Sequence, residues 1–88
     1  MKAVITVVGS DRVGILAMTA GACAQFNVNV LDVSQTIIDG IFTMTMITDC
    51  SKVESFEEFA AAMEALGEEN ALIVRVMNQD IFKAMHTI

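Results

Sequence analysis

Val7-Val8-Gly9-Ser10-Asp11-Arg12-Val13-Gly14-Ile15-Leu16 carries a strand into a turn and the turn into a helix. Upstream, Lys2 to Val8 reads as the first strand, because β-branched residues dominate and Ala3, Ile5 and Val7 alternate onto one face. Gly9 breaks that run. Ser10 or Asp11 then stands where a helix cap belongs, since a short polar side chain accepts bonds from N–H groups that a helix start leaves unpaired. From Gly14 to Asn27 the apolar residues Ile15, Met18, Ala22 and Phe26, with Leu16 and Cys23 beside them, recur at helical spacing. Gly21 costs such a helix about 1 kcal/mol against alanine, which predicts close packing on a strand.

Downstream, Asn27-Val28-Asn29 predicts the helix exit, because asparagine tolerates the left-handed backbone found there. Val30 to Ile38 reads as the second strand and Ile41 to Thr48 as the third. Between them Asp39-Gly40 predicts a tight hairpin with positive φ at both positions. Phe42, Met44 and Met46 alternate toward the helices, against Thr43 and Thr45. Ser55 with Glu58 and Ser51 with Glu54 both match a capping box, so the second helix has two possible starts one turn apart. Its apolar stripe is Phe56, Phe59, Ala60, Met63 and Leu66, and Glu57, Glu58, Glu64 and Glu68 form a solvated outer face. Ala71 to Met77 is the fourth strand, and Asp80 is placed to cap a helical tail bearing Ile81, Phe82, Met85 and Ile88.

This β-α-β-β-α-β order has right-handed crossovers that put both helices on one face of an antiparallel sheet. The expected fold is an α+β, ferredoxin-like sandwich with a short C-terminal helical tail. The other face should expose Val4, Thr6, Thr43, Thr45 and Ile47, a surface better suited to a partner than to water. A homo-oligomer, a dimer in the simplest case, is therefore expected.

At 88 residues the chain fits one domain, 1–88, and with 55% hydrophobic residues it can build a real core. The net charge of −6 and the absence of Tyr and Trp argue against nucleic acid as a partner. No apolar run reaches the ~20 residues of a membrane helix, and Met1 to Val8 does not read as a signal peptide. A cytoplasmic protein with reduced Cys23 and Cys50 is the expectation.

Little on the chain equips it for catalysis. The single histidine, His86, lies in the tail, no Cys or Ser has an evident base, and no CxxC or phosphate-binding glycine motif is present. Neither an enzyme, a metal site nor a cofactor is expected. An acylphosphatase-like hydrolase would need a basic phosphate cradle and a residue to position water. Here Arg12 stands beside Asp11, and the third strand has no asparagine. The turn is better equipped. A helix start presents free N–H groups and partial positive charge to a carboxylate, and Gly14 lets a ligand approach closely. Asp11 can pair with an ammonium group or simply cap the helix. An amino acid carries both complementary charges.

The run Val7 to Leu16 resembles the DRPGLL-type turn of ACT domains, regulatory modules of amino-acid metabolism. Asn27-Val28-Asn29-Val30 resembles that family's helix exit. The segments Asp32-Val33-Ser34-Gln35-Thr36 and Asp80-Ile81-Phe82-Lys83-Ala84-Met85-His86 are similar to short stand-alone ACT proteins of bacteria and archaea, and to half of the glycine-cleavage-system transcriptional repressor. Many ACT turns carry proline where this chain has Val13, which loosens the turn but leaves its amides and Gly14 in place. The resemblance implies a non-catalytic regulatory protein whose small-molecule effector, an amino acid, lies between subunits. It also implies a regulated protein partner and ligand positions Asp11, Arg12, Val13, Gly14, Ile15, Asn27, Asn29 and Val30. The alternative is a ligand-free dimerisation or protein-interaction module.

Overall fold

A computed structural model describes residues 1–81 of the chain. The elements run β1 (Lys2–Ser10), α1 (Ile15–Gln25), β2 (Asn29–Ile38), β3 (Ile41–Asp49), α2 (Phe56–Glu69) and β4 (Leu72–Asn78). The strands form one antiparallel sheet in the order β2-β3-β1-β4, the expected ferredoxin-like arrangement. Strand β1 continues through Gly9 to Ser10, because Gly9 and Ser10 still pair with Phe42 and Ile41 of β3. Hence the first strand ends later than the glycine suggested.

Alternation along the central strands builds the core. Ala3, Ile5 and Val7 of β1 join Phe42, Met44 and Met46 of β3 and Val74 of β4 in one buried cluster. Ile15 and Cys23 of α1 and Phe59 and Met63 of α2 close it from the helical side. The Phe26 and Phe59 rings meet edge to face, 5.5 Å apart, and tie the end of one helix to the start of the other. Thr19 also faces inward on α1, its hydroxyl donating to the Ile15 carbonyl at 3.0 Å, whereas Leu16 is exposed.

Several local expectations are corrected. Gly21 lies on the exposed side of α1 with open space around it, so it marks no close packing. The glycine pressed against the sheet is Gly67, where a Cβ would sit 2.6 Å from Val74 Cγ2 and 2.8 Å from the Leu72 carbonyl oxygen. Helix α2 starts at the later of its two possible caps, with the Glu58 N–H donating to Ser55 Oγ at 3.2 Å. Glu64, expected on the solvated face of α2, is half-buried. Asp80 is not a cap: its own N–H donates to Asn78 Oδ1 at 2.8 Å, so Asn78 opens the helical residues 79–81. Ile81 is exposed, and Phe82, Met85 and Ile88 lie outside the described residues.

The hairpin behaves as its sequence dictates. Asp39 and Gly40 have φ of 52° and 77°, which lets β2 and β3 pair tightly up to Ile38 and Ile41. On the sheet face away from the helices, Ile38, Ile41 and Ile73 are 65%, 53% and 57% exposed. Val4, expected there among the exposed residues, is only 2% exposed. It sits on the central strand directly between Ile47 and Met77, whose long apolar side chains share its face. Thr6, Thr45 and Ile47 are half-buried and Thr43 is exposed.

Candidate functional site

The turn between β1 and α1 is built by a glycine and a distant carbonyl. Asp11 N–H donates to the Gly40 carbonyl at 2.9 Å, which fastens the turn to the hairpin. Neither Ser10 nor Asp11 caps α1. Gly14 takes the N-cap position with φ 93° and ψ 2°, a conformation that excludes most side chains, and no side-chain cap bond is made. The Gly14 carbonyl accepts the first helical bond from Met18 N–H at 2.9 Å. Asp11, Arg12, Val13 and Gly14 are all exposed, and Ile15 is buried beneath them as the first core residue of the helix. A Cβ added at Gly14 would meet nothing within 4 Å, so the residue is limited by its backbone conformation and not by crowding.

The other candidate residues sit elsewhere. Helix α1 carries the chain down the length of the sheet, and Asn27, with φ 60°, turns it into β2. Asn29 and Val30 begin that strand, whose ten residues separate them from the hairpin by about 30 Å at ~3.3 Å per residue. Thus one chain brings Asp11 to Ile15 together at one end of the sheet and Asn27, Asn29 and Val30 together at the other. The two groups do not meet within a chain. A β-bulge at Val30/Asp32 lets Val30 and Val33 both face the helices, leaving Leu31 exposed beside them.

The exit end holds a cleft of about 370 Å³ lined by Asn27, Val28, Asn29, Asp49, Ser51 and Lys52. Asn29 and Asp49 are direct cross-strand partners. The Ser51 N–H donates to Asp49 Oδ1 at 2.9 Å and, with the nearby N-terminal ammonium and Lys2, holds that carboxyl below its ordinary range. Cys50 N–H donates to the Met1 carbonyl at 2.7 Å, pinning the floor of the loop. A second depression of about 280 Å³ adjoins at Asn27, lined also by Gln25, Phe26, Val53, Glu54, Ser55 and Glu58. The residues of the β3–α2 loop were not singled out by the sequence as ligand positions. The sequence marked Ser51 and Ser55 as possible helix caps, and Asp49 and Lys52 only as polar loop residues.

Cys23 and Cys50 are both free and buried, and burial pushes the Cys23 thiol up to about 11. Among the described residues no three His, Cys, Asp or Glu gather as a metal-binding group, and no helix is long and apolar enough to cross a membrane.

A β2-β3-β1-β4 sheet under two helices, entered by an open glycine turn, defines a ferredoxin-like α+β domain. Residues 2–77 match the family model described as the ACT domain, and the chain belongs to that family. It is 43% identical to a UPF0237 protein of Listeria monocytogenes over 100% of both chains. Among solved structures it is similar to an ACT domain protein from Streptococcus pneumoniae, with 35% identity and a TM-score of 0.82 over 93% of each chain. It also matches a structure described as a glycine cleavage system transcriptional repressor, with 26% identity and a TM-score of 0.73 over 85% of this chain and 43% of that one. ACT domain proteins are in general regulatory rather than catalytic.

Proposed function

We propose that this chain is a non-catalytic, cytoplasmic regulatory protein that binds an amino acid in a pocket shared between two copies of itself. The observation that carries the reading is the start of α1, an exposed left-handed Gly14 with no side-chain cap. The first-turn N–H groups of that helix find no side-chain acceptor among the described residues, so one oxygen of a ligand carboxylate can serve. Arg12 adds positive charge, and Asp11, which the helix does not use as a cap, is free to meet an ammonium group. Two copies laid antiparallel along the edge strand β2 bring the turn of one beside Asn27, Asn29 and Val30 of the other. That arrangement uses all the candidate positions at once.

The effector would act by favouring one assembly, or one contact with a regulated protein, since only differential affinity for two states can shift their balance. A ligand-free interaction module is the second reading, favoured by the exposed Ile38, Ile41 and Ile73. A thermal-shift screen of the proteinogenic amino acids separates the two. A ligand at 100 times its dissociation constant should add about 2.7 kcal/mol of stability. A flat response to every amino acid at 10 mM would leave the interaction module standing. Binding that survives Gly14→Leu undiminished would move the site away from the turn.

A further inference from the structure

The cleft at the α1 exit bears two opposite charges that the candidate positions do not include. The exit half of the proposed pocket, Asn27, Asn29 and Val30, is uncharged. The cleft adds Asp49 on one side and Lys52 three residues on, with Val28 its one apolar lining residue. Both charges are placed by backbone: Asp49 by its pairing with Asn29 and by the Ser51 N–H, Lys52 by a loop held through Val53 N–H to the Cys50 carbonyl at 3.2 Å. The Asp49 carboxylate accepts from the Ser51 N–H through Oδ1, and a carboxylate with two oxygens has capacity for a further donor. The side-chain hydrogen bonds among the described residues do not involve the Asn27 or Asn29 amides, so both are available to a ligand. A volume of about 370 Å³ lies in the range of small-ligand sites and admits a free amino acid.

We infer that Asp49 and Lys52 are ligand-binding residues of the pocket, Asp49 sharing the three donors of the α-ammonium group with Asp11 of another copy and Lys52 binding one oxygen of the α-carboxylate. The second carboxylate oxygen is left for the α1 turn of another copy. The inference rests on the reading that the chain takes an amino acid, and it narrows the class. The ligand has both its amino and carboxyl groups unmodified, and its side chain is small enough to fit beside Asn27, Val28 and Asn29.

Titration calorimetry of the full chain with each proteinogenic amino acid at up to 10 mM, followed by two variants, tests this. Asp49→Asn keeps an oxygen for the Ser51 N–H, and Lys52→Met keeps the aliphatic stem, so both should fold, as circular dichroism would verify. For an amino acid that binds, each variant is expected to weaken affinity at least tenfold. The corresponding decarboxylated amine should lose its residual affinity in Asp49→Asn but not in Lys52→Met, and the deaminated acid the reverse. Binding that is unchanged in both variants but lost in Gly14→Leu would overturn this assignment and leave the amino-acid reading intact. No binding by any amino acid would overturn both.

Discussion

Three glycines in this chain look alike and behave differently. Gly21 sits on the exposed side of a helix with room for a methyl group. Gly21→Ala should therefore raise stability by about 0.5–1 kcal/mol through helix propensity and a less flexible unfolded chain. At Gly67 the same methyl would press on Val74 Cγ2 and the Leu72 carbonyl, and backbone cannot move aside cheaply. Gly67→Ala should cost about 1–3 kcal/mol. Gly14 has space but a φ of 93°, so Gly14→Ala should cost about 1–2 kcal/mol from backbone strain alone. Urea denaturation of the three variants reads all of these, and a common sign would refute the assignment. The sequence showed where glycine stood but not why. Gly40 was legible because Asp-Gly between β-rich runs has one good conformation. Gly67 was not, because its constraint comes from Leu72 and Val74 as β4 folds back against the end of α2, a contact that no local propensity reports.

Among the elements, α2 had two possible starts that no local rule could separate. Both serines precede a glutamate by three residues, and the choice depends on where β3 ends and how far the loop must reach. The structure gives Ser55 the cap, with Phe56 and Phe59 already turned to the core. Ser55→Ala should then lower stability by about 1 kcal/mol. Ser51→Ala should change little in the helix, since the cap bond of α2 is made by Ser55 and Ser51 bonds back to Asp49. Thermal melts of the pair decide between the two. For α1 the reading failed in the opposite direction. Polar Ser10 and Asp11 looked like caps, but pairing with β3 and the hairpin claims them, and the helix opens on a residue with no side chain. That failure falls at the proposed ligand turn, where a self-capped helix would have left less for a carboxylate to do.

For the molecule as a whole, alternation in the strands and the Asp-Gly hairpin were enough to specify topology, core and helix side. Both candidate groups were also legible as residue types. Their separation to opposite ends was not, since sequence neighbours of a helix start and of its exit lie a helix length apart only once the helix forms. The core also carries a pH signature. Burial pushes the Cys23 thiol from its ordinary 9.0 to about 11, and pushes Cys50 up as well. A proton held more tightly when folded gives stability that is complete below pH 9 and is lost as pH rises from 9 toward 11. Denaturation midpoints should fall over that window, and Cys23→Ala should flatten the fall. Asp49 works in the other sense: its lowered carboxyl favours the fold above the ordinary value of 3.8 and ceases to do so as pH drops below it.

The placement of turn and exit at opposite ends of β2 has a further consequence for any pocket that uses both. A pocket completed only when two chains meet makes ligand affinity depend on how much of the protein is present. Dilution would blunt the response and abundance would sharpen it. A cell could then set its sensitivity to the effector by how strongly it expresses this short chain, with no change in the residues that touch the ligand.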